Sequence, residues 1–363
     1  MMFVVVQRHQ AARTATGDSA SSSSSCSSTS CPPSLAGRRR RTRRRRRNPP
    51  LPVCPRAAPS SSGERAPQAL SADEQQKRTF IAQKMLKRNN DCSWAWDDHY
   101  LEKDNLWETI REEIERDCAT EPMLSSFLFS TVLAHATIEE SLAFILANKL
   151  ESTVLPATQL LQLFHETLML DEIRAGFLAD LLATYDRDPA CKQYSSCLLF
   201  YKGFHAIQIH RVAHHLYKKG RVALAMLLQS RSSETFHVDI HPAARIGKGV
   251  MLDHATGVVM GESAVVGDNV SMLHHVTLGG SGKSAGDRHP KIGSGVLIGA
   301  GAVVLGNVRV GNCSKIGAGS VVLADVPPRH VAVGVPARNI PLSGISGSSP
   351  VSDMNQVFLG QDI

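Results

Sequence analysis

The sequence predicts an α+β protein in which an all-α domain precedes a left-handed parallel β-helix of hexapeptide repeats. Two observations predict this order. Between residues 91 and 235, apolar residues recur at three- and four-residue spacing, which is typical of amphipathic helices. From residue 236 to 340, an aliphatic or small residue recurs at every sixth position instead. A six-residue period fits neither a helix nor an ordinary strand, and it indicates a β-helix.

The first 65 residues have the composition of a transit segment. Residues 1–63 contain twelve Arg, no Lys and one acidic residue, so they carry about +11, and the whole-chain charge of +7 leaves about −4 for the rest. Segments rich in Ser, Arg, Ala and Pro that lack acidic residues are typical of organelle transit peptides. We therefore expect a chloroplast or mitochondrial location, with the cytoplasm as the alternative. An arginine-rich nucleic-acid-binding arm is disfavoured because aromatic residues do not alternate with the arginines.

The next segments are a linker over residues 66–90 and the helical domain over residues 91–235. Acidic residues lie near the starts of the predicted helices, Pro122, Pro156 and Pro189 separate them, and Gly220 is expected to break the last pair. No apolar run reaches the roughly 20 residues that a membrane span requires. The sequence thus predicts no membrane partner.

The hexapeptide segment is expected to form about four coils of eighteen residues, with the aliphatic residues stacked inside. An antiparallel sandwich is the alternative, but it requires turn signals at 8 to 12 residue spacing and no fixed phase. A glycine-rich loop over residues 277–291 interrupts the repeats, and residues 341–363 form a flexible tail. The repeated positions are Ile240, Ile246, Leu252, Val258, Ala264, Val270 and Val276, then Ile292, Ile298, Val304, Val310, Ile316 and Val322.

Charged residues in so regular a pattern are candidates for chemistry, because the repeat does not need them. Asp239 and His254 lie fifteen residues apart, less than one coil, so they can approach each other across a corner. A carboxylate that orients an imidazole is the usual arrangement of a general base. The alternative is that Asp253 and His254 merely occupy a solvated corner.

The interrupting loop, TLGGSGKSAGDRHPK, brings two further candidates. Arg288 offers a planar fork that suits a carboxylate, and His289 adds a second titratable group. A Gly-rich loop that served only as a spacer would not need this pair. Ala300 lies eighteen residues before Ala318, so the two stack on adjacent coils and leave a groove for an extended ligand such as a pantetheine arm. Lys315 is a candidate for a phosphate, although small residues also form simple corners.

Metal sites are not indicated by the pattern. Four histidines at positions 205, 210, 214 and 215 crowd one helical segment, but no Cys or acid completes a ligand set there, and we interpret them as the decoration of an amphipathic helix. Some hexapeptide β-helices are zinc carbonic anhydrases with an HxxxxH pair late in the repeats. This sequence has only His289 there, so that alternative is disfavoured.

Several stretches together resemble the serine O-acetyltransferase family. They are VDIHPAARIGKGVMLDHATGVVMGE, GKSAGDRHP, KIGAGSVVL and GVPAR in the repeats, with RDPA and YSSCLLFYKGFHAIQIHR in the helical domain. The resemblance covers residues 91 to 340. Ala285 stands where the family pattern has Gly.

The resemblance implies a role for each candidate. His254 would be the general base and Asp239 its orienting carboxylate. The serine-binding residues would be Asp188, Asp253, Arg288 and His289. The coenzyme A groove would be lined by Gly280, Ala300, Lys315 and Ala318. The C-terminal Ile363 would dock into O-acetylserine sulfhydrylase.

The resemblance also implies the reaction and the assembly. Acetyl would pass from acetyl-CoA, a co-substrate and not a resident cofactor, to L-serine in the first step of cysteine biosynthesis, with L-cysteine as feedback inhibitor. The chain would form a homotrimer or a dimer of trimers, the latter through the helical domain of residues 91–235, which would also take part in substrate binding. Because the motifs contain no Cys to form an acyl-enzyme, direct transfer in a ternary complex is expected. The alternatives are a hexapeptide acetyltransferase for another hydroxyl or amine, and a non-catalytic scaffold subunit.

Overall fold

A computed structural model of the chain describes residues 86–88, 94–96, 105–282, 285–342 and 350–354. Its first elements are two short antiparallel strands, β1 (Leu86–Arg88) and β2 (Trp94–Trp96). The helical pattern was expected to begin near residue 91, so this expectation is wrong for β2. The strand consists of Trp-Ala-Trp, and aromatic residues favour extended backbone over helix.

Eight α-helices follow in the described part of residues 105–236, with a 3₁₀ turn (Pro122–Leu124) and a π-helical turn (Phe129–Leu133). The predicted break at Gly220 is present, with φ of +78°. A second break, at Tyr201, was not predicted. The helices are α1 (Asn105–Thr120), α2 (Ser125–Leu128), α3 (Ile138–Leu150), α4 (Ala157–Leu168), α5 (Asp171–Arg187), α6 (Tyr194–Phe200), α7 (Lys202–Lys218) and α8 (Val222–Phe236).

The chain then winds into a parallel β-helix, which confirms the predicted fold class. Each coil adds one short strand to each of three parallel sheets. The strands are β3 (Val238–Ile240), β4 (Arg245–Ile246), β5 (Met251–Leu252), β6 (Val258–Met260), β7 (Val265–Val266), β8 (Ser271–Met272), β9 (Thr277–Gly279), β10 (Lys291–Ile292), β11 (Leu297–Ile298), β12 (Val303–Leu305), β13 (Arg309–Val310), β14 (Lys315–Ile316) and β15 (Val321–Val322).

The three sheets run in the orders β15-β12-β9-β6-β3, β13-β10-β7-β4 and β14-β11-β8-β5, which we call the first, second and third sheets. An antiparallel hairpin, β16 (His330–Gly334) and β17 (Ala337–Pro341), extends the third sheet at its β14 edge. A short helix, α9 (Pro350–Asp353), places Val351 against Leu297 of that sheet and against Leu273, which directly follows β8. The aliphatic side chains of all three sheets form one buried core.

The strand register shows where the coils depart from eighteen residues. Lys291 pairs with Arg309, eighteen residues later, but with Val265, 26 residues earlier, so the predicted interrupting loop adds eight residues to its coil. The prediction of one phase over thirteen positions is wrong for Val258, Ala264, Val270 and Val276, each of which lies two residues before the position that pairs with the preceding coil. Ile240 pairs with Met260, twenty residues later, and not with Val258. The six-residue series still looks regular in the sequence because the side chains of Val258 and Met260 are both buried inside the coil.

The helical domain docks on the first coils through buried charged groups. The fully buried Asp180 carboxylate of α5 accepts hydrogen bonds from Arg211 of α7 at 2.7 and 2.9 Å, from Gln208 at 3.0 Å, and from the backbone N–H of Val250 at 2.8 Å. Arg211 also donates to the carbonyl oxygen of Gly247 at 2.7 Å. One carboxylate thus joins two helices to the solenoid.

A second buried cation anchors the end of α5. Arg187 donates to the carbonyl oxygen of Gly249, to Ser271 Oγ and to Asn269 Oδ1 at 2.8 to 3.2 Å. Burial lowers the pKa of Arg187 to about 10, so the group still carries its charge at neutral pH.

No single helix in the ranges that the structure describes is long and apolar enough to cross a membrane. One pair of segments bent by 118°, Pro122–Leu133 with Ile138–Leu150, passes that test jointly by length and composition.

We predict that Asp180→Asn destabilises the protein by about 3 to 5 kcal/mol, because Arg211 loses its buried counter-charge. Urea unfolding followed by circular dichroism measures the change. The matched control is Glu234→Gln, which breaks a solvent-exposed ion pair with Arg231 and should cost less than about 1 kcal/mol. Equal effects of the two substitutions would contradict the role given to Asp180.

Candidate active site

The corner formed by residues 253–257 joins β5 of the third sheet to β6 of the first sheet and carries two of the predicted residues. Leu252 pairs with Met272 and Val259 pairs with Thr277, so this corner contains two more residues than the equivalent corner of the next coil. The extra residues change the backbone. His254 and Ala255 adopt left-handed φ angles of +55° and +54°, which cost a non-glycine residue roughly 1 to 2 kcal/mol each.

Short hydrogen bonds hold this strained backbone. The N–H of Ala255 donates to the carbonyl oxygen of Asp253, and the N–H of Thr256 donates to that of His254, both at 2.6 Å. Gly257 then donates to His237 at 2.8 Å, and His275 donates to Thr256 at 2.7 Å. Neighbouring coils therefore fix the corner at its end. Strain of this kind persists only where the surroundings impose it.

The imidazole of His254 projects outward, with its side chain 75% exposed. Its Nε2 lies 3.7 Å from Asp253 Oδ1, and its ring centroid lies 5.9 Å from that of His274 on the next coil. The sequence reasoning missed His274, although it is the first of two adjacent histidines. Its Nδ1 is buried and has no hydrogen-bond partner.

Asp188 reaches the same corner from the end of α5. Burial raises the pKa of the Asp253 carboxyl, the His254 ring opposes this shift, and the neighbouring Asp188 carboxylate raises the pKa further. Asp188 Oδ1 accepts the N–H of Ala190 at 2.8 Å, and the hydroxyl of Tyr201 hydrogen-bonds to the same carboxylate. Two carboxylates beside an imidazole form a site that attracts a cation.

Arg288 and His289 come together in a second cluster, at the corner between the first and second sheets. His289 is 6% exposed and its Nδ1 lies 3.2 Å from the N–H of Ser263, so a neutral ring carries its proton on Nε2. Burial and the neighbouring Arg288 lower the pKa of His289, which keeps the ring neutral. Ser263 Oγ accepts the backbone N–H groups of both residues at 3.1 and 3.2 Å. The Arg288 guanidinium lies 3.3 Å from Glu262.

The two clusters lie at the two corners that flank the first sheet, one before and one after strand β6. Strand β6 separates them, and the four residue steps from Gly257 to Gly261 span about 13 Å in extended conformation. Asp239, on β3, accepts a hydrogen bond from Gln229 of α8 at 2.6 Å. Among the described residues no hydrogen bond or ion pair joins Asp239 to His254, so their pairing stays a prediction.

The residues expected to line a coenzyme A groove are divided between the loop and the last coils. A Cβ on Gly280 would contact Arg288 and His289 at 3.4 Å, so this glycine lies in the second cluster. Ala300 and Ala318 are stacked as expected, and the carbonyl oxygen of Ala300 accepts the N–H of Gly319 at 2.8 Å. Lys315, in β14, is only 8% exposed. Ile363 lies outside the residues that the structure describes.

The histidines of α7 are not decoration on an exposed face. His205 and His210 are buried, and burial lowers the pKa of each to about 3, so both rings are neutral. His205 Nε2 lies 2.7 Å from the carbonyl oxygen of Leu198, and His214 Nδ1 lies 2.8 Å from that of Pro242. Within the described ranges, no group of three or more His, Cys, Asp or Glu residues is arranged to hold a metal ion.

A β-helix of hexapeptide repeats with an exposed imidazole beside acidic groups defines the class of hexapeptide-repeat acyltransferases. The family model "Serine acetyltransferase, N-terminal" matches residues 106–209, and "Bacterial transferase hexapeptide (six repeats)" matches residues 289–324. Probable serine acetyltransferase 1 of Oryza sativa subsp. japonica is 64% identical over 234 residues, which are 64% of this chain and 77% of the relative. The chain belongs to the serine acetyltransferase family.

Solved structures show the same likeness. Soybean serine acetyltransferase complexed with serine is 59% identical, with a TM-score of 0.64 over 65% of this chain and 97% of that chain. The Brucella abortus enzyme in complex with coenzyme A is 53% identical, with a TM-score of 0.65 over 66% and 96%. A serine acetyltransferase in complex with cysteine is 48% identical, with a TM-score of 0.68 over 70% and 99%.

These comparisons confirm the predicted activity. The chain is an enzyme that transfers acetyl from acetyl-CoA to the hydroxyl of L-serine, giving O-acetyl-L-serine and coenzyme A in the first step of cysteine biosynthesis. The alternatives of another acceptor and of a non-catalytic scaffold are thereby set aside. Acetyl-CoA is the co-substrate.

We predict that Ser263→Ala lowers kcat/KM for serine by about tenfold, because Arg288 and His289 lose the hydroxyl that fixes their backbone N–H groups. Steady-state kinetics with serine varied at saturating acetyl-CoA measures the effect. We expect KM for serine to carry most of the change. An unchanged KM would show that Ser263 does not support serine binding.

Proposed function

We propose that His254 is the general base of the reaction and that Asp188 and Asp253 hold the serine beside it. The observation that supports this most directly is the strained corner, which exposes the imidazole next to two carboxylates. A serine hydroxyl is a poor nucleophile until a base removes its proton during attack, an effect worth roughly 10² to 10⁴ in rate. The carbonyl carbon of the acetyl thioester accepts the oxygen, the thiolate of coenzyme A leaves, and His254 takes the hydroxyl proton.

Direct transfer is favoured over an acyl-enzyme. Cys191 lies near Asp188, but burial raises the pKa of its thiol to about 11. A protonated, buried thiol is a poor nucleophile. Serine and acetyl-CoA would therefore bind together, with the pantetheine arm along Ala300 and Ala318 and the phosphates near Lys315.

We further propose that each active site is shared by two copies of the chain. The amino and carboxylate groups of serine are attached to one carbon atom, yet the acidic cluster and the Arg288 cluster lie about 13 Å apart along β6. A serine held by Asp188 and Asp253 of one copy would therefore meet Arg288 and His289 of a neighbour. A homotrimer closes this arrangement with three equal sites, and a dimer of trimers retains it.

The same pocket would accept L-cysteine as a feedback inhibitor. Cysteine differs from serine only by a thiol in place of the hydroxyl, so it offers the same charged groups to Asp188, Asp253 and Arg288. The complex of a related enzyme with cysteine supports this proposal. Inhibition should be competitive with serine.

We predict that His254→Ala lowers kcat by at least about 100-fold with the oligomer intact, since the exposed side chain takes no part in the core. Assays of thiol release measure kcat, and size-exclusion chromatography shows whether the oligomer is intact. A variant with near-normal turnover would remove His254 from the role of base.

Mixed oligomers test the shared site. When His254→Ala and Arg288→Ala chains are unfolded together in equal amounts and refolded, about one quarter of the sites should combine an intact His254 with an intact Arg288. We expect about one quarter of the activity of the unsubstituted enzyme, although each variant alone should have almost none. No recovery in a mixture shown to exchange chains would place both residues in the same copy.

We propose that the C-terminal Ile363 docks into O-acetylserine sulfhydrylase through its carboxylate and its aliphatic side chain. Burying such a side chain contributes roughly 1.5 to 3 kcal/mol. Deleting Ile363 should abolish co-elution with the sulfhydrylase and leave acetyl transfer unchanged. Calorimetry showing equal affinity for the truncated chain would place the contact elsewhere.

We also propose that residues 1–65 direct the chain to a chloroplast or mitochondrion, because their composition is that of a transit peptide. A fluorescent protein fused to residues 1–70 should localise to one of these organelles. Diffuse fluorescence in the cytoplasm would contradict the proposal.

A further inference from the structure

Helix α7 contacts the 253–257 corner through its first residue. Lys202 Nζ donates a hydrogen bond to Thr256 Oγ1 across 54 positions of sequence. The same hydroxyl donates to the backbone carbonyl oxygen of His254 at 3.4 Å. The two bonds form a chain from the ammonium group of α7 to the backbone of His254.

A second contact stands beside the first. A Cβ placed on Gly203 would lie 2.1 Å from the carbonyl oxygen of Leu252, so the backbone of α7 lies directly against the residue that precedes the corner. Lys202 and Gly203 therefore meet the corner on both sides, at Thr256 and at Leu252. Neither contact involves a residue assigned to substrate binding.

The position of the His254 imidazole depends on its backbone more than on side-chain packing. The side chain is 75% exposed, and among the described residues it forms an ion pair only with Asp253, at 3.7 Å. The φ angles of +55° and +54° at His254 and Ala255 give a conformation that the chain adopts only under constraint. Whatever holds this backbone also sets where Nε2 lies relative to a bound hydroxyl.

We propose that Lys202 and Thr256 are positioning residues that hold the His254 backbone in its left-handed conformation and thereby aim the imidazole at the substrate hydroxyl. This inference rests on the proposed role of His254 as base. Neither side chain touches the substrate. The Thr256 oxygen accepts a hydrogen bond from the Lys202 ammonium group. Its own hydroxyl proton is therefore donated to the carbonyl oxygen of His254.

The experiment uses Thr256→Val and Lys202→Met in the full-length chain. Thr256→Val removes only the hydroxyl, and it keeps the charge of Lys202 and the branching at Cβ. We expect each variant to lower kcat by about tenfold or more through misplacement of the base, with KM for serine and acetyl-CoA within about threefold. Thr256→Ser should restore kcat to within about threefold of the original, because it keeps the hydroxyl. Lys218→Met, at the far end of α7, is the matched control and should leave kcat unchanged.

A double variant tests whether the two residues act as one unit. Lys202→Met with Thr256→Val should have a kcat within about twofold of the poorer single variant, since the second substitution removes a link that is already broken. Losses that multiply would show two independent roles and overturn the proposal. A normal kcat for Thr256→Val, or an equal loss in Thr256→Ser, would also overturn it.

Two further comparisons keep the result clear. If Thr256→Val does not elute as a folded oligomer, Lys202→Met alone tests the proposal. A kcat of Lys202→Met within about twofold of the original would then overturn the positioning role of Lys202 and Thr256. If His254→Ala retains turnover, the proposed base is wrong. If His254→Ala is inactive while Thr256→Val is fully active, the positioning role of Lys202 and Thr256 is wrong and the role of His254 as base stands.

Discussion

The buried carboxylate of Asp180 is the interaction on which the arrangement of the site depends. It joins Arg211 and Gln208 of α7 to the backbone of Val250 in the first coil, while α5 carries the carboxylate itself. Because both helices are held against the solenoid in this way, the end of α5 presents Asp188 beside Asp253. The start of α7 is held against the same corner. The helical domain therefore places Asp188 and Lys202 beside the corner that carries the proposed base.

The repeat supplies rigidity, and its two irregularities supply chemistry. A coil of eighteen residues fills its interior with aliphatic side chains and closes its corners with small residues, so a regular coil has no place for reactive groups. The two extra residues of the 253–257 corner and the eight extra residues between β9 and β10 provide such places. The strain at His254 and Ala255 is the cost of the first irregularity, and the surrounding coils hold it in place.

The sequence predicted much of this because periodicity is a local signal. The helices, the solenoid and the interrupting loop follow from spacing alone, and Asp253, His254, Arg288 and His289 were recognised because they break the pattern. The phase shift at residue 252 was hidden, since Val258 and Met260 are both inward-facing. Lys202, Thr256 and Ser263 were missed because their importance lies in contacts with residues 25 to 54 positions away. The bond between Asp239 and Gln229 likewise follows from how α8 meets the first coil.

The two clusters differ in charge in a way that suits an amino acid. The corner with Asp188 and Asp253 is acidic, while the second cluster presents the Arg288 guanidinium beside a His289 ring whose pKa is lowered by burial. Because His289 is neutral, it would offer an N–H without adding a second full charge. The Arg288 guanidinium lies 3.3 Å from Glu262, so a bound carboxylate would share it with that side chain. A zwitterion needs both environments within the reach of one carbon atom. In the shared site proposed above, a solenoid that places them on different corners would provide both, because corners of neighbouring copies would face each other.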